Sequence, residues 1–113
     1  IYDCFWRERY IKNYNSFDSF IQEGGLSEAI SNNAEHFIPQ WNYLSENDKC
    51  IVDDIGKLED IQLFMQNVSK RLGRKINIEK INSANYMKGK NVSNQSIFMI
   101  SDIYKNDFEK LGY

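Results

Sequence analysis

One short run constrains this chain more than any other. Cys50-Ile51-Val52-Asp53-Asp54-Ile55 is β-branched, stops at Gly56, and is the best strand candidate in the 113 residues. The clear periodicity around it is helical. One strand cannot make a sheet, because its backbone N–H and C=O groups need neighbours. The expected class is therefore α/β and helix-rich, with one or two short strands in this chain and the rest of the sheet in sequence beyond it or in a partner chain. The opening, Ile1-Tyr2-Asp3-Cys4-Phe5-Trp6, starts in mid-pattern and without methionine. Residues 1–113 are accordingly expected to form a single partial domain.

Helices are read from apolar spacing. Tyr2, Phe5, Trp6, Tyr10 and Tyr14 recur at intervals of three and four, with Arg7, Glu8, Arg9 and Lys12 between them. Asn15 or Ser16 offers an N-cap for a second helix carrying Phe17, Phe20 and Ile21, and Gly24-Gly25 stops it. Ser27 is the expected cap of another short turn through Ile30. From Asn32 to Asp48 the chain reads as an irregular loop broken by Pro39. That loop holds Phe37, Ile38, Trp41, Tyr43 and Leu44, so it must lie on the core or line a pocket. Leu58, Ile61, Phe64, Met65, Val68 and Leu72 form one stripe, ended by Gly73. Residues 74–95 are polar, a long connection with a short extended piece at Ile76 and Ile78. A last helix, capped by Ser93 or Ser96, carries Ile97, Ile100, Ile103, Tyr104, Phe108 and Leu111 and ends at Gly112.

Several function classes are excluded. Two cysteines, Cys4 and Cys50, are too few for a disulfide scaffold or a four-cysteine zinc site, and one histidine rules out a histidine metal cage. The apolar run Ile97-Phe98-Met99-Ile100 is too short to span a membrane. No Gly-rich phosphate loop and no G-x-S-x-G elbow is present. Charge is informative only locally. The chain carries −2 overall, yet residues 70–90 hold seven basic side chains against Glu79 alone. Such a stretch can focus an anionic ligand, or it can be a solvated helix end followed by a polar loop. Asp53, Asp54 and Glu59 are acid/base candidates, and His36 beside Glu35 is a candidate base or orienting donor, although packed or hydrogen-bonded roles are the commoner ones. Three N-x-S triplets start at Asn67, Asn91 and Asn94, but thirteen asparagines make chance matches easy.

Three stretches occur in an order and spacing that resemble the C-terminal half of the carbohydrate sulfotransferase family, which includes Golgi chondroitin and heparan enzymes and bacterial relatives. They are Glu35-His36-Phe37-Ile38-Pro39-Gln40, then Asp53-Asp54-Ile55-Gly56-Lys57-Leu58-Glu59, then Ile103 to Tyr113, which contains Tyr104, Asp107, Phe108, Gly112 and Tyr113. In the family the last motif has an aromatic residue where this chain has Leu111. The resemblance implies the C-terminal part of a P-loop-like α/β sulfotransferase sandwich. It implies transfer of a sulfuryl group from 3′-phosphoadenylyl sulfate (PAPS) to a carbohydrate hydroxyl, by in-line displacement. The 5′-phosphosulfate loop and the catalytic base are expected upstream of Ile1, so the catalytic residues are unknown and the chain alone is expected to be inactive. His36, Gln40 and Trp41 are implied as acceptor contacts, Trp41 as a sugar-stacking ring. Ser83, Tyr86, Lys88 and Lys90 are implied around the 3′-phosphate, with the two lysines standing in for an arginine as point charges. Asp3 stands where the family carries a phosphate-donating serine, and an ionised carboxylate cannot donate.

The implied partners are the nucleotide and a carbohydrate or polysaccharide acceptor, with no metal, no nucleic acid and no membrane span in this chain. A bacterial member would be cytoplasmic and an animal one Golgi-lumenal with an upstream anchor; the Asn-, Ile- and Lys-rich composition favours the bacterial case. The rival from another class is a non-catalytic helical module that binds an anionic glycan or a protein partner.

Overall fold

A computed structural model describes residues 7–79 and 91–113. Ser83, Tyr86, Lys88 and Lys90, together with Asp3 and Cys4, lie outside the described residues.

The first described element is a π-helical turn, Arg7–Ile11, which buries Tyr10. The helix α1, Phe17–Gln22, follows. Ser16 caps it as expected. The Ser16 hydroxyl accepts the Ser19 N–H while the Ser19 hydroxyl accepts the Ser16 N–H, each at 3.0 Å, a reciprocal box that satisfies two otherwise orphaned donors. Gly24 and Gly25 then do separate jobs. Gly24 takes φ +91°, a left-handed conformation. Gly25 lies so close to the Phe20 and Tyr14 rings that a Cβ would overlap them. The pair ends α1 and begins α2, Gly25–Ser31, at once. Ser27 therefore lies inside a helix and caps nothing, because the turn at Gly24 already redirects the chain.

The stretch expected to be an irregular loop is more ordered than its composition suggests. It contains a 3₁₀ turn, Glu35–Phe37, and a helical turn, α3, Trp41–Leu44. Pro39 breaks no helix here. It precedes one, and its carbonyl accepts the Asn42 N–H at 3.1 Å. Next comes a hairpin of β1, Ser45–Glu46, and β2, Lys49–Cys50, antiparallel and paired Ser45 with Cys50 and Glu46 with Lys49. Asn47 (φ 51°) and Asp48 (φ 59°) are both left-handed, as a two-residue hairpin turn of type I′ requires. The expected strand over 50–55 is thus corrected. Only Cys50 belongs to a strand, the Ile51 N–H makes one more bond to the Leu44 carbonyl, and residues 51–57 are irregular. Ile51 and Ile55 stay exposed, so among the described residues no neighbouring strand gives that β-branched run a sheet to join.

A 3₁₀ turn, Leu58–Asp60, leads into α4, Ile61–Leu72, capped by Gly73 as expected. The final helix divides in two: α5, Asn94–Ile103, and α6, Lys105–Leu111, meeting at Tyr104. Ser93 is the cap of α5. Ser96 lies inside the helix and is wholly buried.

The core gathers Tyr10, Phe20, Ile21, Leu26, Ala29 and Ala34, closed by Met99, Ile100 and Ile103 of α5 and by Tyr104 at its joint with α6. Burial of these side chains supplies the main driving force, about 1.5–3 kcal/mol for each large one. A polar seam fixes the register of α1 on α5. The Gln22 amide donates to the hydroxyls of Ser93 (2.9 Å) and Ser96 (3.0 Å), and Asp18 accepts both the N–H (3.1 Å) and the hydroxyl (3.0 Å) of Ser93. The helix α4 takes no part in this core. None of its residues is fully buried, and Leu63 and Leu72 face solvent.

The seam makes stability depend on acid. Asp18 is held below the usual carboxylate range by the Ser96 hydroxyl, then by Ser93. Its contribution is complete above the unfolded-state value of about 4 and fades as pH falls through the lower native value. Thermal melts between neutral pH and pH ~3 should show a smaller loss of Tm in Asp18→Asn than in the parent chain. Parallel profiles for the two proteins would contradict this origin of the acid sensitivity.

Candidate functional site

The three stretches that carry the family resemblance converge on the C-terminal helix. Asp107, 9% exposed, faces the loop before α3. Its Oδ2 accepts the Gln40 N–H at 2.8 Å and its Oδ1 accepts the Trp41 N–H at 2.7 Å. These amides belong to the orphan donors at a helix start, and a carboxylate there gains from both hydrogen bonding and the local dipole. One turn earlier, the Tyr104 hydroxyl donates to the Phe37 carbonyl at 2.7 Å. Burial first and Asp107 second raise the Tyr104 pKa, so the phenol keeps the proton it donates. The loop from Phe37 to Trp41 is thus pinned at both ends by residues one helical turn apart.

Lys57 ties in the second stretch. Its ammonium donates to the Gly112 carbonyl and sits 5.2 Å from the centre of the Tyr113 ring. Gly56, just before it, packs so closely on Phe64 that a side chain there would overlap the ring. Lys110 makes another tie, 3.4 Å from Asp48 and 5.9 Å from the centre of the Trp41 indole. Asp48 is also held below the usual carboxylate range, by the Trp41 indole N–H at 3.1 Å and then by Lys110.

His36, just before the pinned loop, and Gln40, within it, are both exposed. Trp41 is not, and the stacking expectation needs correction. The ring is 7% exposed, its N–H is committed to Asp48, and the Lys110 ammonium lies over it. A sugar would find no open face. The exposed aromatic nearby is Tyr43, 53% exposed, whose hydroxyl reaches the Glu35 carbonyl at 3.4 Å. Of the acid/base candidates, Asp54 is engaged by Arg71, while Asp53 and Glu59 are exposed and lie outside the pinned loop. Among the described residues no group of three or more His, Cys, Asp or Glu side chains is placed to hold a metal ion.

Sequence reasoning missed Asp107 as the residue that holds the loop. Its Asp-Phe position in the last stretch was the available signal, but nothing in local spacing says that its carboxylate caps a turn 66 residues earlier. Asp107→Asn keeps the size and presents an NH2 group to one of two N–H donors. It should destabilise the fold by roughly 1–3 kcal/mol, read as a fall in the urea midpoint at unchanged slope. A change within about 0.5 kcal/mol would contradict the cap.

Compared with models of protein families, with curated proteins and with solved structures, the chain finds no match in any of the three.

Proposed function

We propose that this chain is the acceptor-side, C-terminal part of a PAPS-dependent carbohydrate sulfotransferase. The observation that carries the reading is the meeting of its three family-like stretches. Asp107 and Tyr104 hold the His36–Gln40 loop, and Lys57 reaches Gly112 and Tyr113. Segments that are separate in sequence but share a family pattern are expected to share a location if they serve one site.

In this reading the pinned loop presents the His36 imidazole and the Gln40 amide to acceptor hydroxyls. Gln40 has both donors and an acceptor, which suits a hydroxyl that does either. Fixing the loop beforehand lowers the ordering cost of binding and of in-line attack. Ser83, Tyr86, Lys88 and Lys90 take the nucleotide 3′-phosphate. PAPS, when bound, supplies the sulfuryl group and the leaving phosphate. The catalytic base and the 5′-phosphosulfate loop belong to sequence outside this chain, and the setting is cytoplasmic.

The test separates the 3′-phosphate from the rest of the nucleotide. Calorimetry on the chain should give tighter binding of adenosine 3′,5′-bisphosphate than of adenosine 5′-monophosphate. The preference should fall about tenfold in Lys88→Ala/Lys90→Ala, the effect of losing roughly 1.4 kcal/mol of charge interaction. Equal affinity for the two nucleotides, or no binding of either, would overturn the assignment.

A further inference from the structure

Beyond Gly73 the chain folds back on α4. Gly73 takes φ +66°, its N–H bonds the Lys70 carbonyl at 3.3 Å, and the Arg74 N–H bonds the Ser69 carbonyl at 3.2 Å. The Ser69 hydroxyl then accepts the Ile76 N–H at 3.1 Å. Residues 74–78 and α4 thereby enclose a groove of about 760 Å³. Three cations, Lys70, Arg74 and Lys75, line it together with three side-chain amides, Gln62, Gln66 and Asn77, over an apolar floor that includes Met65, Ile76 and Ile78. Among the described residues no carboxylate and no aromatic ring lines it. Among the described residues none of these three cations is in an ion pair, whereas Arg71, which does not line the groove, is taken by Asp54.

We infer that this groove binds an acidic polysaccharide, an extended hydroxyl-rich chain carrying sulfate or carboxylate groups. Three unpaired cations within six residues attract such a chain. The C-terminal end of a helix opposes it with about half a negative charge, which three full charges outweigh. The Ser69 and Lys70 carbonyls that would carry part of that opposition are already bonded. Flanking the cations in sequence, Gln62, Gln66 and Asn77 offer amide donors and acceptors suited to hydroxyls. A single-stranded nucleic acid would want stacking rings, and none lines the groove among the described residues. A folded protein partner would want an aromatic-rich interface core, and the described lining offers none. The groove is separate from the His36–Gln40 loop, and the inference holds whether or not the chain takes part in sulfuryl transfer.

Calorimetric titration of the 113-residue chain with a heparin octasaccharide tests it, at salt between about 50 and 200 mM. Binding should weaken steeply with salt, and neutral dextran of the same length should not bind. Lys70→Gln/Arg74→Gln/Lys75→Gln should lose at least about tenfold in affinity and flatten the salt dependence, while Arg71→Gln stays within about twofold. Circular dichroism checks the helix content of each variant. If the triple variant loses helix, Lys75→Gln alone, which lies beyond α4, should still lose about threefold. Unchanged heparin affinity in these variants would overturn the inference. So would tighter binding of oligo-thymidylate or of polyglutamate at matched charge.

Discussion

A single carboxylate at the C-terminal end organises the middle of this chain. Asp107 accepts two backbone N–H groups, from Gln40 and Trp41, with one oxygen each. Both amides open a helical turn with no capping side chain of its own. Left unpaired in a buried place, each would cost about 1–3 kcal/mol. Asp107 meets that need and turns it into tertiary structure. The turn Trp41–Leu44 can only be satisfied with α6 docked beside it, and α6 brings Lys110, Leu111 and the C-terminal Gly112 and Tyr113 along. Trp41 goes into the interior, and the hairpin follows, held through the indole bond to Asp48.

How much was legible in the sequence follows from how local each cause is. The caps at Ser16 and Ser93 and the stop at Gly73 act within a turn of themselves, and spacing alone located α1, α4 and the last helical region. The strand was misplaced because two different signals compete around residue 50. Ile51, Val52 and Ile55 have β-branched propensity but no neighbour to pair with among the described residues. Asn47-Asp48 lacks the usual glycine of such a turn, yet adopts it because Asp48 gains Trp41 and Lys110 as partners. Tertiary contact overrode propensity. The same holds at Trp41, whose aromatic character in a polar loop suggested a binding platform but whose burial depends on residues more than sixty positions away. For His36 the packed or hydrogen-bonded role was the commoner expectation, and the structure leaves both His36 and Gln40 exposed. The reason the loop has a fixed shape was not legible.

The structure also divides its hydrophobic residues unevenly. The faces of α1, α2 and α5 close a small core stitched by the Asp18, Gln22, Ser93 and Ser96 seam. The amphipathic stripe of α4 packs mainly on the turn before it and leaves Leu58, Leu63 and Leu72 at the surface. The cations at the end of that helix thus lie outside the core, with Arg71 drawn to Asp54 and the others facing a groove. That helix contributes little burial to the fold, and the exposed charges at its end contribute little to folding.

The central claim is that the loop before α3 is held by Asp107, and native-state hydrogen exchange reads it most directly. The Gln40 and Trp41 amides should be protected, to a degree comparable with amides in the middle of α6, and Asp107→Ala should remove that protection while leaving α1 and α5 amides protected. Exchange of those two amides at the unprotected rate in the parent chain, or protection that survives in Asp107→Ala, would contradict the account.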